Sequence, residues 1–158
     1  MPWWVNIHVD LVGGGFQQLP GSRWNEGKIH MRWHGLLQRE QLGSILKEAT
    51  LGIAPIGSHN IMQQGCSLKV REYMARSLPF VYGYDDVDLD RSETDAFARQ
   101  VPNDESLLSV DELCTFAEQV SQDSSTCSRM RDYAIRKMDW RLKMRAYHDF
   151  AQQLLRKG

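Results

Sequence analysis

A chain of 158 residues with 42% hydrophobic and 25% charged side chains is long enough for one globular domain around a single core, and nothing in its composition marks a second. A net charge of -1 gives no basic footprint for a nucleic-acid binder, no stretch approaches the ~20 apolar residues of a spanning helix, and the N-terminus lacks the basic-then-apolar pattern of a signal peptide. The three cysteines, Cys66, Cys114 and Cys127, match neither a zinc module nor a disulfide framework, so a cytoplasmic location is expected, with association at a membrane surface left open.

Residues 4–12 read as a strand that Gly13-Gly14-Gly15 breaks with a turn, and a polar loop follows. Ile29, Met31 and Trp33 alternate with His30, Arg32 and His34, the period of a strand with one polar face. Gly35 ends this strand, which is expected near the sheet edge. Leu42, Ile45 and Leu46 recur at helical spacing over residues 39–49, and residues 51–56 supply the next apolar run, so a helix and then a strand are expected. The loop of residues 57–66 leads to a second helix. Ser67 is a good N-cap, residues 68–77 contain no breaker, and Pro79 stops the helix before the apolar strand Phe80, Val81 and Tyr82. Asp85, Asp86, Asp88 and Asp90 then mark a solvated loop, without the calcium-loop pattern, and residues 96–101 add a last strand. Helices are expected over residues 110–122 after Ser109, over 125–137 and over 140–156. On the last of these Trp140, Met144, Tyr147, Ala151 and Leu154 form a stripe read mostly as core, the other reading being a docking face for a missing domain.

Strands alternating with helices and closed by helices predict an α/β fold: an open, mostly parallel, Rossmann-like sheet with C-terminal helices. Ligands of such sheets bind at the carboxyl ends of the strands, where the turns at Gly13, Gly35 and Gly83 and the loop of residues 57–66 fall. The amides of Gly65, Cys66 and Ser67 would sit at the positive end of the second helix, a place that suits an anion. On that helix Val70, Tyr73 and Met74 make a core-facing stripe, while Lys69, Glu72 and Arg76 share another face. Two readings of the polar face stand side by side. It is either a solvated face whose Lys69–Glu72 pair contributes ~0.2–0.5 kcal/mol, or a site with Lys69 at a phosphate and Glu72 accepting from sugar hydroxyls. The five histidines, His8, His30, His34, His59 and His148, show no metal-ligand spacing and are expected in exposed or hydrogen-bonded roles; His59 is singled out by its place in the loop facing the expected ligand. Gly13-Gly14-Gly15 lacks the spacing of a dinucleotide fingerprint and reads as a plain turn.

Pro55-Ile56-Gly57-Ser58-His59, then Ser67-Leu68-Lys69-Val70-Arg71-Glu72-Tyr73-Met74-Ala75 and Leu78-Pro79-Phe80-Val81, resembles the donor-binding half of retaining GT-B glycosyltransferases, whose helix commonly reads L-K-x-x-E-x-M-A-x-G-x-P. Ser77 stands at that pattern's glycine. More loosely, residues 9–15 resemble a strand and glycine turn of the family, Trp33-His34-Gly35 its strand end, and Met138-Asp139-Trp140 the tryptophan opening its last helix. The resemblance implies that residues 1–158 form a single Rossmann-like nucleotide-sugar-binding domain, one half of a GT-B fold, lacking its first strand and helix and the N-terminal acceptor domain. It implies binding of a nucleotide-diphosphate sugar, a substrate with no further cofactor, by Gln64, Gly65, Cys66, Ser67, Leu68, Lys69 and Glu72, with Gly14, Gly35 and His59 as further candidates. In the family two glutamates face the nucleotide sugar. Glu72 matches the one that holds the ribose, whereas Gln64 stands where the other contacts the transferred sugar, and an amide cannot stabilise positive charge as a carboxylate does.

The expected function is therefore the donor-binding portion of a glycosyltransferase, inactive by itself. The alternatives are an epimerase-like domain of the same fold and a non-catalytic interaction module in which Lys69 and Glu72 are surface charges. Base, sugar, acceptor and stereochemical outcome are not encoded in these residues.

Overall fold

A computed structural model describes residues 6–14, 23–57 and 64–156, and the chain divides into two compact units, one ending at Ala49 and the other beginning at Thr50.

In the first unit, β1 (Ile7–Val12) alternates half-buried Ile7, Val9 and Leu11 with exposed His8 and Asp10, the period-two pattern that its sequence carries. It pairs in parallel with β3 (Ile29–Gly35), in register from Ile7 opposite Ile29 to Leu11 opposite Trp33, with an irregularity before Val12 pairs with Gly35. A short strand, β2 (Arg23–Glu26), turns at Gly27 (φ +57) and pairs antiparallel with β3, so the order is β1-β3-β2. β3 is thus the middle strand of three, not one nearer the edge: residues 23–26 carry no hydrophobic alternation, and only pairing with β3 makes them a strand. Helix α1 (Arg39–Glu48) starts at Gln38, whose amide donates to the Gln41 side chain at 3.0 Å.

The second unit is built on β6 (Phe80–Tyr82), which pairs in parallel with β4 (Gly52–Ile53) on one side and with β8 (Ala98–Gln100) on the other. All three residues of β6 are buried. Phe80 and Tyr82 pack into a cluster with Val70 and Met74 of α2 (Leu68–Ala75) and Met130 and Tyr133 of α5 (Thr126–Tyr133), while Val81 packs against Phe116 and Val120 of α4 (Val110–Gln122). A strand covered on both faces reads as an unbroken apolar run. Full burial of Val70 and Met74 contributes about 1.5–3 kcal/mol each. A separate parallel pair joins β5 (Gln64–Gly65) to β7 (Asp85–Asp86), and a short helix α3 (Arg91–Thr94) precedes β8. Among the described residues the architecture is α/β with small, mostly parallel sheets and helices.

Two close fits fix α2 on this sheet. A side chain at Gly52 would place its Cβ 2.8 Å from the Tyr73 ring, whose hydroxyl donates to the Ile53 carbonyl at 3.2 Å. At the C-terminal end of α2, Ser77 adopts φ +56, the Leu78 amide reaches the Tyr73 carbonyl at 2.9 Å, and the Ser77 amide reaches Met74 at 3.2 Å. This is a helix stop with a left-handed residue just beyond the cap, a position that glycine fills most easily.

Two expectations are corrected here. The Asp85–Asp90 stretch is not simply solvated: Asp86 is buried and Asp88 half-buried. After α5, a π-helical turn (Ala134–Met138) leads to α6 (Trp140–Leu155), capped by Asp139, and the stripe expected in the core is exposed, with Trp140 69% and Tyr147 68% accessible. Helices α2, α5 and α4 cover both faces of the central strand β6, so its burial does not depend on α6.

Candidate functional site

At the carboxyl ends of β4 and β6 the chain is tightly drawn. The Gly83 amide donates to Pro55 at 3.1 Å, and Asn103 Oδ1 accepts from the Gly57 amide at 3.0 Å. A Cβ at Gly83 would lie 2.6 Å from that same oxygen, and Gly57 holds φ +110. Asn103 escapes a reading of the sequence, because a lone asparagine in a polar loop carries no signal of the two strand ends it bridges.

The loop before α2 is braced from the opposite side. Gln64 pairs with Asp85 and Gly65 with Asp86 in the β5–β7 ladder, and the Val87 amide donates to the Gly65 carbonyl at 3.2 Å. Ser67 caps α2: its Oγ accepts from the Lys69 amide at 3.3 Å. Its own amide donates to the Tyr84 hydroxyl at 3.2 Å, and that hydroxyl donates to Asp86 Oδ2 at 2.8 Å. Two of the amides at this helix start are therefore engaged by the protein itself.

Below the loop lies a compact charged network. Arg71 bonds Asp86 through both terminal nitrogens, Nη2 to Oδ1 at 2.6 Å, and also bonds Asp88; Lys143 Nζ meets Asp88 at 2.5 Å. The Asp88 amide closes the turn onto Asp86 Oδ1 at 3.0 Å, and the Cys66 thiol lies 3.5 Å from Asp88. Burial opposes the charge on Arg71, but its bonds to Asp86 and Asp88 outweigh this and raise its pKa. For Asp88, burial pushes the carboxyl up, and the bonds from Lys143 and Arg71 prevail and hold it below the usual aspartate range. Burial, followed by the bond to Asp86, raises the Tyr84 phenol. Burial also raises the Cys66 thiol, against the opposing charge of Arg71, a direction that disfavours the thiolate. Arg71, which the sequence motif leaves without a partner, is committed inside the fold.

The other expected residues stand as follows. Gln64, Cys66, Leu68 and Lys69 are exposed, and Gly65 is half-buried. Glu72 Oε1 accepts from Arg76 Nε at 2.6 Å, so its carboxylate leans toward the C-terminal end of α2 and pairs with Arg76 instead of Lys69. Gly14 and Gly35 lie in the first unit. There the Gly13 amide donates to the Gly35 carbonyl at 2.9 Å, Gly35 holds φ +66, and His34 Nε2 meets Asp10 Oδ1 at 2.6 Å. His59 lies outside the described residues. Concave spaces of about 210 Å3, beside Phe97 and Tyr133, and about 260 Å3, beside Pro79 and Val120, are lined by none of the residues from Gln64 to Glu72. Among the described residues no group of three acidic, histidine or cysteine side chains is placed to hold a metal ion, and no helix is long and apolar enough to cross a membrane.

No protein-family model, no curated protein and no solved structure matches this chain.

Proposed function

We propose that the chain is the donor-binding portion of a nucleotide-sugar-dependent glycosyltransferase of the GT-B kind. The diphosphate would be met at the start of α2 by the Leu68 amide and the Lys69 ammonium, and the ribose by Glu72. The observation that carries this reading is the pairing order of the strands. A doubly wound sheet runs 3-2-1-4-5-6. Within each unit the parallel neighbours are ones such an order contains: β1 beside β3 in the first, and β6 between β4 and β8 in the second. A left-handed Ser77, where the family's pattern has glycine, supports the same reading.

The geometry narrows the site. The Ser67 amide and Arg71 already have partners, so the contacts to an anion fall to Lys69 and the first turn of α2, whose amides have no intrahelical acceptor apart from the one Ser67 supplies. Glu72 keeps Oε2 for a sugar hydroxyl while Oε1 holds Arg76. Gln64 brings no carboxylate, so donor binding is proposed and catalysis by this residue is not.

Calorimetric titration of the chain with uridine and guanosine diphosphates, repeated on Glu72→Ala and Lys69→Ala, tests the reading. Saturable binding weakened at least tenfold in both variants is expected. Absence of binding by the folded wild type would favour the second reading, a non-catalytic interaction module. The Tyr84–Ser67 and Arg76–Glu72 bonds favour that alternative, because they occupy two of the groups a ligand would use.

A further inference from the structure

We propose that α6 is a membrane-surface helix whose apolar face docks on an anionic phospholipid bilayer. Every residue of α6 except Lys143 is exposed, although the helix carries Trp140, Met144, Tyr147, Phe150, Leu154 and Leu155. Short helices are marginal in water and draw their stability from a packed apolar face. This one packs little within its own unit, which leaves its apolar face open to a partner.

The arrangement of charge says which. Trp140, Met144, Tyr147, Ala151 and Leu154 follow one line at helical spacing, flanked by Phe150 and Leu155. Arg141, Arg145, His148, Gln152 and Arg156 follow a second line, about 120° round the helix from the first. Asp149 is the only acid between Trp140 and Arg156, in a chain whose net charge is -1, so positive charge is concentrated on this helix. Lys143 is held by Asp88 and Arg141 by Asp139, whereas Arg145 and Arg156 make no ion pair among the described residues. Aromatic rings with polar tips on one face and arginines on the face beside it match the boundary between acyl chains and anionic headgroups, where such helices lie in the plane of the surface. The helix is not long and apolar enough to cross, so it would lie on the bilayer instead of spanning it.

The test uses the full chain in flotation with phosphatidylcholine vesicles, with and without phosphatidylserine. Binding is expected only with phosphatidylserine and is expected to weaken as salt is raised. Arg145→Gln with Arg156→Gln should weaken it about 30-fold, from ~1 kcal/mol for each basic residue near the surface. Tyr147→Ser with Phe150→Ser should abolish it, with an unchanged circular dichroism spectrum, since these side chains are exposed. Equal binding to neutral and anionic vesicles, or no binding to either, overturns the proposal. So does self-association in sedimentation that the Tyr147 and Phe150 substitutions remove, because the face would then belong to a protein interface.

Discussion

Arg71 grips Asp86 with both of its terminal nitrogens, and the Asp86 side chain has no solvent-exposed surface. This pair ties α2 to β7, and with Tyr84 it sets the position of the loop that precedes the helix. Removing one partner of a buried pair leaves an uncompensated charge. Arg71→Ala should therefore destabilise the fold by about 3–5 kcal/mol. Asp86→Asn, which keeps the shape and some hydrogen bonds, should cost less, about 1–3 kcal/mol. Urea unfolding of the two variants measures both, and an Asp86→Asn variant as stable as the wild type would mean that the carboxylate's charge contributes nothing.

Stability should fall on acidification through Asp88. Its folded pKa lies below the usual value near 4, so its contribution is complete above about pH 4 and is lost as pH drops through the depressed folded value. Unfolding measured at pH 7 and near pH 3 should show the gap between wild type and Asp88→Asn shrinking at the lower pH. A gap independent of pH would show that Asp88 acts by shape alone.

Gly52→Ala should destabilise by about 1–3 kcal/mol, because its new methyl meets the Tyr73 ring at 2.8 Å while the Tyr73 hydroxyl is anchored on Ile53. Removing the ring as well should recover part of the loss. A double-mutant cycle of Gly52→Ala with Tyr73→Ala should therefore report a coupling of about 0.5–3 kcal/mol.

Glu72→Ala should change stability by no more than about 0.5 kcal/mol, since its pair with Arg76 is exposed and lies within one helix. Ser67→Ala should cost about 1 kcal/mol through the lost cap. Thermal melts separate the two, and a stable Glu72→Ala protein ensures that any change in diphosphate affinity reports binding and not unfolding.

The parts of this protein legible in its sequence are those set by neighbours along the chain. Ser67 and Ser109 begin their helices by capping amides two and three residues on, and Phe80-Val81-Tyr82 reads as a doubly covered strand because all three residues are apolar. The parts that escaped depend on distant partners. Residues 23–26 become a strand only against β3, and Asn103 reaches Gly57 from 46 positions away. Asp88 looks like one more loop aspartate until Lys143 arrives from 55 positions away. At the candidate site the sequence marks the capped loop and the polar face of α2, while the partners of Arg71, Glu72 and the Ser67 amide become visible only in the folded chain.

By itself the sequence determined the α/β class, the helix starts and the buried central strand, because capping and hydrophobic period act over a few residues. Tertiary structure decided which charges are spent inside the fold and which face is left uncovered. Arg71 and Asp86 were committed to each other and α6 was left with its apolar stripe in solvent, because pairing and burial depend on what the rest of the chain brings alongside, and a linear pattern does not carry that information.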